Sequence, residues 1–114
     1  MIQIYHNSRC GKSRNCLTLI ENSKKDVEVI HYLINPPSFE ELSIILQKLN
    51  MKPIELVRQK EKIWIENFKD NALNDKQIIE AMVSHPILIE RPIVIMGNNA
   101  IIGRDLEKVE TFIS

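Results

Sequence analysis

Apolar and polar residues alternate over 2–5 (IQIY), the period of a strand with one face in a core. The period then changes. From 11 to about 21, Cys16, Leu17 and Ile20 recur at helical spacing, and Asn22-Ser23 with the charged KKD run closes that helix. VEVIHYL, 27–33, is rich in β-branched residues and predicts a second strand. Strand, helix, strand in this order predicts a parallel pair joined by a crossover helix.

Asn35-Pro36-Pro37-Ser38 breaks the chain, and Ser38 with Glu41 has capping-box spacing, which predicts the start of the helix FEELSIILQKLN. PIELVRQ, KIWIENF and DKQIIEAMVSH predict three shorter helices, the last stopped at His85-Pro86. Trp64 and Met82 fall at helical spacing among apolar neighbours and are expected in the core, while His31 and His85 are expected to be structural. PIVIM (92–96) and AII (100–102) predict a hairpin around Gly97-Asn98-Asn99, and DLEKVETFI a closing helix. The whole order, β-α-β, helices, β-β-α, predicts one α/β domain over 1–114 with its helices inserted in the middle, at about 38–89.

Composition narrows the class. The 114 residues are enough for one domain with a real core, and 44% hydrophobic with 26% charged residues is the balance of a soluble globular protein. Fifteen basic residues match fifteen acidic ones, so no global field draws nucleic acid or anionic lipid, and any anion site must be local. The N-terminus has no long apolar segment of a signal peptide, and no apolar run reaches the roughly 20 residues that span a bilayer. Two cysteines without an export signal predict free thiols in a reducing cytoplasm. Cysteines and histidines show no metal-ligand spacing, so no metal site is expected.

The chemistry concentrates in HNSRCGKSRNC, 6–16. A phosphate-cradling P-loop ends in Gly-Lys-Ser as here, but its first glycine, needed for the sharp turn, is His6. A cysteine phosphatase loop would need an arginine where Cys16 stands, and Arg14 falls two residues short. A thiol at the start of the helix that follows the first strand fits better. Unpaired N–H groups and the helix dipole favour a thiolate there, and Cys10 occupies that point beside His6 and Arg9. Ser13 replaces the second cysteine of a dithiol motif, so the site is monothiol. Cys16, on the helical face of Leu17 and Ile20, is expected to be a core residue too far along the helix to bond Cys10.

IYHNSRCGKSRNCL resembles the active-site segment of the ArsC family of glutaredoxin-coupled arsenate reductases. HYLINPPSFEEL, the Arg of ELVRQK, HPILIERPIVI and IIGRDLEKV follow in family order, so the resemblance runs from about Ile2 to the end of the chain. The best-studied members continue past this point, whereas this chain stops at Ser114, just after its final helix. The resemblance implies a thioredoxin-like fold: a mixed four-stranded sheet with a helical insertion between strands 2 and 3, and a cis Arg91-Pro92 bond before the third strand. It implies Cys10 as nucleophile, His6 as the residue that helps lower its pKa, and Arg58, Arg91 and Arg104 converging on an oxyanion beside Cys10. Asn7 and Ser13 belong to the same substrate-binding motif.

Three arginines suit arsenate, nearly a dianion at neutral pH, because each planar fork pairs with two oxygens and stays charged. The family chemistry then implies attack of Cys10 on arsenic, glutathione as co-substrate, glutaredoxin as the partner that resolves the adduct, and no bound cofactor. The protein is expected to act as a cytoplasmic monomer. Two other readings stay open: a regulator of the Spx type that binds RNA polymerase, which usually carries the dithiol motif this chain lacks, and a thiol oxidoreductase acting on another substrate.

Overall fold

A computed structural model describes all residues, 1–114. The chain runs β1 (Ile2–Tyr5), α1 (Gly11–Asn22), β2 (Val27–Ile30), α2 (Phe39–Leu49), α3 (Pro53–Leu56), α4 (Lys62–Asn67), α5 (Asp75–Ser84), a 3-10 turn (Pro86–Leu88), β3 (Ile93–Met96), β4 (Asn99–Ile102) and α6 (Leu106–Ile113). It divides into two compact units, 1–35 with 91–114, and 36–90.

The first unit is built on a four-stranded sheet of order β2-β1-β3-β4. β1 lies parallel to β2, with Tyr5 opposite Ile30, and antiparallel to β3, with Tyr5 opposite Ile93. β3 and β4 form the expected hairpin, Met96 opposite Asn99, across the two-residue turn Gly97-Asn98. Gly97 has φ +62, a left-handed value that glycine alone adopts without steric cost, and this sharp turn lets β4 begin one residue earlier than expected. Ile2 and Ile4 from β1, Cys16 and Ile20 from α1, Val94 from β3, and Val109 and Ile113 from α6 form one buried cluster, with α1 packed against α6.

β2 is shorter than the β-branched run suggests. It stops at Ile30 because the chain then turns: the amides of Ile34 and Asn35 both donate to the His31 carbonyl rather than to a sheet partner. Gly103, just after β4, sits where a side chain has no room. A Cβ there would lie 2.7 Å from the Cys16 sulfur and 3.1 Å from both Pro92 Cγ and Val94 Cγ2. Backbone from the β4–α6 link therefore rests directly on α1 and on the start of β3.

The second unit holds the helices between β2 and β3. The Ser38–Glu41 capping box is present in both directions, and a second box, Asn74 with Gln77, starts α5. Met82 is fully buried and Trp64 nearly so, with Trp64 stacked on Phe68, as their spacing predicts. PIELVRQ is helical only to Leu56. Val57 turns extended and pairs with Ile89, while Arg58 N donates to Leu88 O and Glu90 N to Leu56 O, so tertiary pairing overrides local helix propensity.

Candidate active site

The link from β1 to α1 carries His6, Asn7, Ser8, Arg9 and Cys10, and its hydrogen bonds fold it around one hydroxyl. Ser13 is fully buried in the first turn of α1; its Oγ accepts from Asn7 N at 3.0 Å and lies 2.6 Å from His6 Nδ1. Asn7 in turn accepts twice, from Arg9 N on its side-chain oxygen and from Cys10 N on its carbonyl, each at 3.0 Å. Arg14 reaches back to the Ser8 carbonyl at 3.0 Å. These bonds leave Cys10 as the N-cap of α1, extended at φ −96 and ψ 122, with its carbonyl accepting from Arg14 N.

Burial alone would push the Cys10 thiol up. The N–H of Ser13, the side chain of Arg91 and the N–H of Lys12 outweigh it and hold the thiol below its ordinary value. Cys10 makes no regular side-chain cap bond, so the sulfur is stabilised by lying before these donors rather than by closing a capping ring. The expected direction is therefore present, but the expected neighbours are not its cause. His6 is itself held below its ordinary value, first by burial, then by His31 and Arg14, so it contributes little positive charge at neutral pH. Its contact in the loop is with the Ser13 hydroxyl, at 2.6 Å. Arg9 is exposed and takes no part in lowering the thiol.

Arg91 precedes Pro92 through a cis peptide bond, as expected for this position. Its carbonyl accepts from Arg104 Nη1 at 3.4 Å, so Cys10, Arg91 and Arg104 form a connected group in the first unit. Arg58 belongs to the second unit, where its Nε pairs with Glu61 at 3.1 Å and its Nη1 with Glu90 at 3.2 Å. Two carboxylates thus occupy part of its fork.

Cys16 is the opposite kind of thiol. It is fully buried beneath Gly103, and burial pushes its pKa up to about 11. Both cysteines are free. His85 packs on Phe68 in the second unit. No three His, Cys, Asp or Glu side chains gather in a way that could hold a metal ion.

The ArsC family pattern matches residues 5–112. The chain belongs to the ArsC family. Among its relatives, the uncharacterized protein YfgD of Escherichia coli K12 is 43% identical over 110 residues, covering 95% of this chain and 92% of that one. An arsenate reductase of Neisseria meningitidis is 40% identical over 111 residues, 96% of this chain and 95% of its own length. The solved arsenate reductase of Vibrio cholerae superposes with a TM-score of 0.90 at 42% identity, covering 96% of this chain and 95% of that one. With the sheet order above, the fold is thioredoxin-like.

In this ArsC-family chain two contributors escaped the sequence reading. Gly103, which gives Cys16 its cover, has no local signal beyond being a glycine after a strand. His31, which meets the His6 ring edge-on at 5.6 Å, was legible in principle. Once Tyr5 is set opposite Ile30 in a parallel pair, the next residues on each strand are His6 and His31.

Proposed function

We propose that the protein is an arsenate reductase, with Cys10 as its nucleophile, Arg91 and Arg104 as oxyanion ligands, and glutathione and glutaredoxin as the source of electrons. One observation carries this reading: a thiol held below its ordinary range by two helix-start amides and an arginine, in a chain about 40% identical to proteins named arsenate reductase. Arg58 enters through the family motif alone, and its pairing with Glu61 and Glu90 means its fork must be shared to hold an anion. Asn7 and Ser13 serve by shaping the loop, and His6 by holding Ser13.

The chemistry follows from those groups. The Cys10 thiolate attacks arsenic and one oxygen leaves as water, giving a covalent adduct whose remaining charge the arginines balance. The thiol of glutathione replaces a second oxygen, again released as water, so arsenic is held between two sulfurs. A glutaredoxin thiol then takes the glutathione sulfur as a mixed disulfide. The electron pair of the broken sulfur–arsenic bond stays on arsenic, which is thereby reduced. Water displaces Cys10, releasing arsenite and restoring the thiol. Only one protein thiol is needed, in keeping with Ser13 in place of a second cysteine and with the burial of Cys16. We further propose that the protein works as a monomer in the cytoplasm, where both reductants are available.

The test is a coupled assay with arsenate, glutathione, glutaredoxin and NADPH-dependent glutathione reductase. Wild type should consume NADPH in an arsenate-dependent way and Cys10→Ser should not. Arsenate-independent turnover, or equal rates in both proteins, would overturn the reading.

A further inference from the structure

Ser13 serves the nucleophile loop twice. Its backbone N–H is among the donors that lower Cys10, and its hydroxyl meets Asn7 N at 3.0 Å and His6 Nδ1 at 2.6 Å. A hydroxyl has one proton to donate and two lone pairs to accept with. Asn7 N–H takes one lone pair, and His6 Nδ1 is the one other group bonded to Oγ, so the hydroxyl proton belongs on Nδ1. His6 then presents a bare Nδ1 and carries its own proton on Nε2. It must also stay neutral. A proton on Nδ1 would aim at the oxygen that Asn7 N–H already uses, and would leave the hydroxyl proton of a fully buried serine without an acceptor.

Burial is the first influence against a charge on His6, which is 4% exposed, and His31 is the second. The two rings meet edge-on with centroids 5.6 Å apart. The sheet places them so: β1 and β2 run parallel with Tyr5 opposite Ile30, His6 N donates to Ile30 O at 2.8 Å, and His31 follows. Unlike His6, His31 is exposed, so a charge on it is hydrated. From α1, Arg14 also opposes a charge on His6, while Glu21, the smallest influence, favours it. Arg9 lines the same cavity as the two rings. From β3, the register leads past Ile93 to Pro92, which has no charge. Among these groups His31 alone is in ring contact with His6, and histidine alone is a residue type that ordinarily changes charge near neutral pH.

We infer that His31 is a positioning residue for the nucleophile loop: its ring against His6 keeps a second proton off that side chain, so the Ser13 hydroxyl stays turned towards Nδ1 and Asn7 N keeps its acceptor. As pH falls, exposed His31 takes a proton from water first, and its charge opposes the next proton at His6. Neutral His6 thus persists to lower pH than burial alone would hold it. With it persists the turn in which Asn7 accepts from Arg9 N and Cys10 N. The inference deepens the arsenate reductase reading, because this is the loop that carries Cys10, but its measurements need no turnover.

The test follows the histidine ring nitrogens of the isotope-labelled full chain by NMR over roughly pH 5 to 8, the range in which imidazole titrates. Wild type at neutral pH should show His6 neutral with its proton on Nε2. In His31→Gln, which removes the charge and keeps a polar side chain, His6 should take its second proton at a higher pH than in wild type. The Asn7 amide should lose exchange protection over the same interval. His31→Lys, which stays charged throughout, should return both measurements to wild type, whereas a merely structural role would not separate Gln from Lys. The inference is overturned if the proton of neutral His6 lies on Nδ1, if His6 titrates alike in all three proteins, or if Gln and Lys shift it alike. A wild type inactive on arsenate whose His6 follows residue 31 in this way ends the arsenate reading and keeps the inference. An active wild type whose His6 titration ignores residue 31 ends the inference alone.

Discussion

Cys10 and Cys16 sit on the same helix, six positions apart, and have opposite chemistry. Cys10, at the open end of α1, faces two helix-start amides and an arginine and is held below its ordinary value. Cys16, two turns on, faces apolar side chains and the Gly103 backbone, and is pushed up to about 11. The residue type supplies a thiol; position on the helix and what packs over it decide whether that thiol is a nucleophile or a core atom.

The comparison breaks most sharply when its reactive half is removed. Cys10→Ser should reduce arsenate-dependent turnover to background while leaving the thermal transition nearly unchanged, since the N-cap serine can serve α1 as well. A variant retaining even a tenth of the rate would show that another group does the chemistry.

The buried half breaks through its cover. Gly103→Ala places a methyl 2.7 Å from the Cys16 sulfur. Overpacking of this kind costs about 1–3 kcal/mol, read as a lower denaturant midpoint. In the double variant with Cys16→Ala most of that loss should be recovered, because the tightest contact is gone. Additive losses would mean that Pro92 and Val94, not Cys16, set the fit.

Removing the groups that lower Cys10 tests the reactive half more gently. Arg91→Ala should raise the Cys10 pKa and cost about 1.5–3 kcal/mol of oxyanion affinity. Ser13→Ala, which leaves His6 Nδ1 and Asn7 N without their hydroxyl, should cost about 1–3 kcal/mol of stability. An Arg91→Ala protein with unchanged oxyanion affinity and thiol pKa would remove Arg91 from the site.

The two thiols also differ in sign with pH. A thiol lowered on folding stabilises the native state above its unfolded value of about 8.5, and that contribution fades as pH falls through the folded value. For Cys16 the sense is reversed. Its contribution is complete below about 8.5 and is lost as pH rises towards about 11, where the folded thiol ionises. Cys16→Ala should therefore flatten the alkaline limb of the stability profile while leaving turnover largely intact, the smallest effect of the set. An unchanged alkaline limb would contradict the assignment of Cys16 as a buried neutral thiol.

The local pattern carried much of this. Alternation in IQIY, the Ser38–Glu41 box and the hairpin around Gly97 are short-range signals, and each element stands within a residue of where they predict. Cys10 was legible because a helix start is a local feature. Elements set by distant pairing were less so: β2 ends early because backbone turns at His31, and the helix at Pro53 ends early because Val57 finds Ile89. Of the causes of the low Cys10 pKa, the helix-start amides act as the sequence predicts, and only the charged neighbours differ, for the same reason. Sequence neighbours His6 and Arg9 looked responsible, while the side chain that acts, Arg91, arrives from a point eighty-one residues away along the chain.

The most direct measurement of the central claim is thiolate absorbance against pH on native wild type and on Cys10→Ser. Two separate steps should appear in wild type, one below the ordinary cysteine value of about 8.5 and one near 11, and only the lower should vanish in Cys10→Ser. A single step at or above the ordinary value, or a lower step that survives the substitution, would contradict the assignment of Cys10 as the activated thiol.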